Sequence, residues 1–196
     1  MSTYITNLLY NPTQPKWLAQ ALKHLDFVLL DHAQCEKKAA GTAMRYLFQY
    51  PNHQVLVEAL TTLAREELQH FQMVNRHLDR RGIVWKTLKP SPYGNLLKQE
   101  IRTQEPNRLL DSMLTSCLIE ARSHERLELL AKNCPDPELQ DFYAFLGIAE
   151  ERHKHLYLDL AYEYYAVSQV EQRLSELSQK ESEILETLHP EPRVHS

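Results

Sequence analysis

Apolar residues recur at three- and four-residue intervals along most of the chain, which is the spacing of one face of an α-helix. Leu22, Leu25 and Leu29 form one such series, and Leu174 and Leu177 belong to another near the C-terminus. We find no stretch with the alternating apolar and polar residues of a half-buried strand. The pattern predicts five helices, at about residues 16–50, 53–81, 106–132, 137–167 and 168–188.

Turn-forming residues separate these segments. Gly82 follows the second predicted helix, and prolines and a glycine within residues 90–94 mark a long irregular connection before the third. Asp136 and Pro137 have the pattern of a helix start, with a side-chain cap followed by a first-turn proline. We therefore predict an all-α protein with a single domain over residues 1–196. Its core is a four-helix bundle with a long crossover between helices two and three, and an additional helix follows at the C-terminus.

The composition narrows the setting of this bundle. The chain has 196 residues, of which 43% are hydrophobic and 24% charged, as in an ordinary globular domain. Its net charge of −4 argues against a general polyanion binder, and its 3 widely spaced cysteines argue against a disulfide framework. We see neither a signal peptide pattern nor an apolar run of membrane-spanning length. These features predict a soluble cytoplasmic protein.

Two Glu-x-x-His motifs, each beside a second glutamate, lie within segments predicted to be helical. Residues three apart project from the same face of a helix, so Glu67 pairs with His70 and Glu150 pairs with His153. The adjacent acids, Glu66 and Glu151, are turned about 100° away and are expected to be solvated or to contact the pairs from outside.

The positions of the turns predict that two further glutamates face these motifs. Glu67 lies sixteen residues after Pro51, and Glu36 lies fifteen residues before it. Likewise, Glu120 and Glu150 lie fifteen residues on either side of Pro135. If each turn closes an antiparallel hairpin, each pair of carboxylates faces each other at one level. Four carboxylates and two imidazoles are then expected to converge in the middle of one bundle.

A buried set of four carboxylates needs a counter-charge, because an isolated buried ion loses more solvation than packing returns. One glutamate from each of two helices plus Glu-x-x-His from the other two is the ligand set of di-iron bundles. A lone Glu-x-x-His is common on solvated helices, but two copies with matched partners favour a metal site. Oxygen-rich ligation with one histidine per ion suits iron or manganese better than zinc, and iron supports oxygen chemistry. The predicted ligands of two iron ions are Glu36, Glu67, His70, Glu120, Glu150 and His153.

With these residues identified, the chain resembles the ferritin-like superfamily. More closely, it resembles the bacterial tRNA hydroxylases that act on 2-methylthio-isopentenyl-adenosine beside the anticodon. The resemblance implies an O2-dependent di-iron monooxygenase that hydroxylates the isopentenyl group, and by motif match it implies the same six ligands. The strings that carry it are LDHAQCEKKAA around Glu36, REELQHF around Glu67, IEARSHERLELLA around Glu120 and AEERHKHLYLDLA around Glu150.

The resemblance also implies the anticodon arm of tRNA as a partner. We expect no DNA or membrane partner, and we expect electrons from an external reductase or electron carrier. The chain shows no flavin, nicotinamide or rubredoxin-type pattern of its own. Residues 71–110 include eight basic residues and three acidic ones. Such an excess of positive charge is equally typical of a solvated helix end. Candidate tRNA contacts are Arg76, Arg80, Arg81, Lys86, Lys89 and Trp85.

Cys117 and His124 lie about one turn on either side of Glu120, where they are expected either to contact the metal ligands or to be ordinary core residues. The ligand set is shared by several ferritin-like activities, so two alternatives stay open. One is an iron-storage or peroxide-detoxifying protein, and the other is a di-iron lipid hydroxylase or desaturase.

Overall fold

A computed structural model describes residues 7–195 of the protein, and within that range all regular secondary structure is helical. In chain order the helices are α1 (Pro15–Lys23), α2 (Leu25–Gln49), α3 (Gln54–Arg80), α4 (Tyr93–Gln99), α5 (Asn107–Asn133), α6 (Pro137–Tyr164) and α7 (Val167–Ile184). The all-α class predicted from the sequence is confirmed. None of these helices combines the length and the apolar character needed to cross a bilayer.

The described residues group into two compact units. The α2–α3 unit comprises residues 20–90 and 191–194, and the α5–α6 unit comprises residues 7–19, 91–190 and 195. Each unit is built on a hairpin of two long helices that pack against each other. The α5–α6 unit also contains α7, which packs against α4, α5 and α6.

Capping residues determine where the helices of these hairpins begin and end. Gly82 has φ of 64°, the left-handed conformation that glycine adopts without steric cost, and it closes α3. Its N–H donates to Asp79 at 3.0 Å, and the N–H of Ile83 donates to Leu78 at 2.9 Å, which is a Schellman motif. At the start of α6 the Asp136 carboxylate accepts from two backbone N–H groups, as predicted for a cap.

The first predicted helix, 16–50, is wrong as a single element because the structure breaks it at His24. That residue has φ of −136° and ψ of 42°, outside the helical region. Its N–H bonds to Ala21 three residues back, and its carbonyl accepts from Phe27 and Val28 to start α2. The other four helices lie within a few residues of their predicted bounds, and the short α4 interrupts the connection before α5.

A buried ion pair joins α7 to α5. The guanidinium of Arg122 donates to both oxygens of Glu181 at 2.9 and 2.7 Å, and neither side chain is more than 2% exposed. Arg122 also donates to the carbonyl of Asn11 and to Glu125, and the Tyr93 hydroxyl donates to Glu181. Because each charge has several hydrogen-bond partners, the cost of its burial is offset.

A second ion-pair cluster reinforces the same unit. Arg102 and Arg173 each donate two side-chain hydrogen bonds to the carboxylate of Asp111, which is fully buried on α5. Burial by itself would raise the pKa of Asp111, but the hydrogen bonds from both arginines outweigh it and lower that pKa.

Candidate metal centre

The α2–α3 unit brings three of the six predicted ligands together. Glu36 on α2 and Glu67 and His70 on α3 are 3%, 1% and 5% exposed. The Nδ1 atom of His70 lies 3.8 Å from a carboxylate oxygen of Glu36 and 3.7 Å from one of Glu67. The opposed position of Glu36 and Glu67 across this hairpin, predicted from their distances to Pro51, is therefore observed.

His32 is a neighbour of this site that the sequence analysis did not select. Its Nε2 atom lies 2.6 Å from Glu36, one helical turn away, and it is 3% exposed. Burial, reinforced by the nearby His70, lowers the pKa of His32 to about 3. At neutral pH it is therefore an uncharged imidazole whose Nε2–H donates to the carboxylate. A histidine four residues before a predicted ligand was the signal available in the sequence.

The α5–α6 unit holds the other three predicted ligands. Glu120 on α5 and Glu150 and His153 on α6 are 5%, 3% and 1% exposed. The Nδ1 atom of His153 lies 3.9 Å from a carboxylate oxygen of Glu150. Cys117 is fully buried one turn before Glu120, and burial followed by the charge of that glutamate raises the pKa of its thiol. It is therefore a neutral thiol at physiological pH.

The donor sets fit metal ions. In each unit a buried glutamate and histidine offer potential ligand atoms within 4.8 Å of each other. In both units a carboxylate oxygen lies 3.7 to 3.9 Å from an imidazole nitrogen, so small side-chain movements would let the two atoms share an ion. Carboxylate oxygens with one imidazole nitrogen are donors that suit iron and manganese.

The second glutamate of the α6 motif is placed differently. Glu151 is partly exposed and has three basic residues as neighbours: its carboxylate lies 2.8 Å from Nε2 of His124 and 3.2 Å from His155, and it contacts Lys154. The Nδ1 atom of His124 lies 2.8 Å from the carbonyl of Gly147. These side chains, with Glu125, Glu128 and others, line a cavity of about 550 Å³. The cavity wall is thus rich in charged groups.

The residues predicted to contact tRNA lie together in the α2–α3 unit, at the end of α3 and in the segment after it. Arg76, Arg80, Lys86, Lys89 and Trp85 are exposed, and Arg81 is half-buried. The Lys86 ammonium lies 5.1 Å from the ring centre of Phe27.

The profile of the family described as tRNA-(MS[2]IO[6]A)-hydroxylase (MiaE) matches residues 1–196. A tRNA 2-(methylsulfanyl)-N(6)-isopentenyladenosine(37) hydroxylase from Pseudomonas putida is 35% identical, over 94% of this chain and 90% of that protein. A protein of the same description from Salmonella typhimurium is 28% identical, over 98% and 88%. A solved structure, described as protein 43 with aldehyde deformylating oxygenase activity from Synechococcus, has a TM-score of 0.95. It is 44% identical, with 97% of this chain and 96% of that one covered. The predicted ferritin-like fold class is confirmed by this similarity.

Proposed function

Because this chain belongs to the tRNA-(MS[2]IO[6]A)-hydroxylase (MiaE) family, we propose that it hydroxylates the isopentenyl group of 2-methylthio-isopentenyl-adenosine at position 37 of tRNA. The family match over the whole chain is the observation that carries the proposal. It confirms the family resemblance inferred from the sequence. We expect the reaction to take place in the cytoplasm, on the anticodon arm.

We propose that two iron ions are bound by Glu36, Glu67, His70, Glu120, Glu150 and His153. The burial of all six residues and the matched sets in the two units support this assignment. When bound, the irons supply the activation of O2 that oxidation of a methyl or allylic C–H bond requires. The protein holds the ligands and excludes water, since apolar residues such as Leu63, Val74 and Met113 are fully buried along the same helices.

Electrons are expected from a separate reductase or electron carrier. Hydroxylation places one atom of O2 in the new C–OH group and releases the other as water, which consumes two electrons and two protons. The chain shows no flavin, nicotinamide or rubredoxin-type pattern that would supply those electrons.

We propose that the exposed basic residues after and at the end of α3 bind the phosphates of the anticodon arm. Arg76, Arg80, Lys86 and Lys89 are exposed on one continuous stretch of the chain, with Arg81 and Trp85 between them. Basic side chains that neutralise phosphates release counterions, so binding would weaken steeply as salt is added.

The test is a single-turnover reaction. Iron-loaded, chemically reduced protein is mixed with tRNA that carries 2-methylthio-isopentenyl-adenosine under 18-oxygen gas, and the nucleosides are analysed by mass spectrometry. We expect one hydroxylated nucleoside per reduction, with the label from O2. A label that came from water would refute the monooxygenase reaction, and unmodified tRNA would refute the substrate.

Aldehyde deformylation is a second candidate, because the Synechococcus protein described with that activity is 44% identical to this chain. The same reduced protein would then release formate from an aldehyde while leaving tRNA unmodified. Lipid oxidation is less favoured, since the walls of the 550 Å³ cavity include several charged side chains. Iron storage needs a many-subunit shell, which a measurement of native mass would detect.

A further inference from the structure

Three side chains of the α2–α3 unit form a cluster of one cation and two aromatic rings. The Lys37 ammonium lies 5.1 Å from the ring centre of Trp85 and 5.6 Å from that of Phe71. The two rings are 6.0 Å apart and inclined at 63°, an edge-to-face arrangement. We call these three residues the Trp85 platform.

The indole ring of the Trp85 platform is exposed and yet fixed in orientation. Trp85 is 38% exposed, and its Nε1–H donates to Asn75 at 3.0 Å. The ammonium of the next residue, Lys86, lies over the ring of Phe27. An aromatic side chain that is partly exposed and already oriented loses little conformational freedom when a ligand stacks on it.

The platform adjoins the candidate metal ligands along both helices of the hairpin. Lys37 directly follows Glu36 on α2, and Phe71 directly follows His70 on α3. Adjacent residues on a helix differ by about 1.5 Å in height and point about 100° apart. Along the helix axes, the platform is therefore at the same height as the buried candidate ligands of this unit. Around the helix axes, its side chains point about 100° away from those ligands.

The surroundings of the platform carry a positive charge. Between residues 71 and 90 there are five basic residues and one acidic residue. On α2, Lys37 and its neighbour Lys38 are both exposed. Such a surface attracts a polyanion, while an aromatic face adds affinity for an unstacked base, which a duplex does not offer.

We propose that the Trp85 platform binds an unpaired nucleobase of the anticodon loop by stacking, with Lys37 beside the adjoining phosphate. The proposal rests on the proposed function and adds to it: Lys37 and Phe71 join the tRNA surface, and recognition requires a single-stranded loop. Because the platform is level with the candidate metal ligands of this unit, a base stacked on it would hold the loop beside them. The stacked base is thus a positioning contact for the target nucleotide.

Tryptophan fluorescence tests the stacking directly. The chain has 2 tryptophans, and Trp17 is only 2% exposed, so a Trp17→Phe background isolates the signal of Trp85. Metal-free protein is titrated with an anticodon stem-loop RNA and, separately, with a fully paired RNA of equal phosphate number. We expect the stem-loop to quench Trp85 fluorescence and the duplex to quench it little.

Affinity measurements on variants complete the test. Trp85→Leu should weaken stem-loop binding by roughly 10- to 100-fold and duplex binding far less, and Trp85→Phe should restore part of the loss. Lys37→Met should lower the salt dependence of stem-loop binding by about one counterion, whereas Lys38→Met, its matched control, should lower it less. Thermal unfolding verifies that each variant is folded. If Trp85→Leu does not fold, the quenching of Trp85 in the Trp17→Phe protein and the comparison of Lys37→Met with Lys38→Met still test the proposal.

Two outcomes separate this proposal from the proposed function. If wild-type protein hydroxylates tRNA but stem-loop RNA leaves Trp85 fluorescence unchanged, the platform is refuted and the function stands. If the stem-loop quenches Trp85 as expected but tRNA is never hydroxylated, the platform stands and the proposed reaction is refuted. Equal quenching by duplex and stem-loop RNA would also overturn the platform, because it would indicate phosphate binding without stacking.

Discussion

Replacing Glu36 by glutamine should affect stability in opposite directions with and without iron. Oxygens of Glu36 and Glu67 both lie within 3.8 Å of the same nitrogen of His70, so they are at most about 7.5 Å apart. With both carboxylates ionised and an effective dielectric constant of about 20, their repulsion is roughly 2 kcal/mol. Glutamine keeps the shape of Glu36 and an oxygen that accepts from His32. Metal-free Glu36→Gln should therefore be about 1–2 kcal/mol more stable than wild type.

Iron should reverse this order. A ligand that binds only the folded state stabilises wild type by about 2.7 kcal/mol at one hundred times its dissociation constant. Glu36→Gln lacks one anionic ligand, so we expect a much smaller gain and fewer iron ions per chain. The assay is anaerobic urea unfolding of both proteins, with a chelator and with ferrous iron, together with iron analysis.

Glu66→Gln provides the matched control, because this glutamate precedes Glu67 on α3 and is half-buried. We expect it to change stability similarly with and without iron. The metal assignment of Glu36 would be refuted if Glu36→Gln were destabilised by the same amount in both conditions. That result would show that the carboxylate serves packing and its bond with His32.

Three other predictions follow from the charged groups. Reversing Arg80 and Arg81 to glutamate should weaken tRNA binding and reduce its salt slope by about two, with unchanged iron content; an unchanged slope would place the RNA surface elsewhere. Arg122→Met leaves Glu181 buried without its cation and should cost about 3–5 kcal/mol in urea unfolding, and a cost below about 1 kcal/mol would show that water replaces it. Because folding lowers the pKa of Asp111, its ionised carboxylate stabilises the folded state at pH values above the ordinary aspartate pKa. This stabilisation is lost as the pH falls through the lowered pKa. Unfolding measured below about pH 4 should show this loss in wild type and less of it in Asp111→Asn.

The features that could be predicted from the sequence are those with a local cause. The helices follow from apolar spacing, and the ends at Gly82 and Asp136 follow from backbone and side-chain chemistry within a few residues. The facing positions of Glu36 and Glu67 could be predicted by counting residues on either side of one turn. Each of these inferences uses a single helix or a single hairpin.

The features that were missed depend on contacts between residues far apart in the chain. Arg122 and Glu181 are separated by 59 positions, and each alone looks like an ordinary surface charge in a helical sequence. The break at His24 also has no local signal, because the apolar spacing continues through it. His32 is an intermediate case, since its position one turn before Glu36 was visible but equally typical of a core histidine.

These distant contacts fix the helices that carry the candidate ligands. Arg122 lies two residues after Glu120, and its bonds to Glu181 on α7 hold that turn of α5. In the α2–α3 unit the carboxylate of Asp31, five residues before Glu36, accepts from the backbone N–H of Val194 at 2.8 Å. In both units, therefore, residues from the C-terminal part of the chain anchor a ligand-bearing helix close to its ligand. A metal site needs ligands held within a few tenths of an ångström by surrounding contacts, so α7 and the segment after it are part of the scaffold of the site.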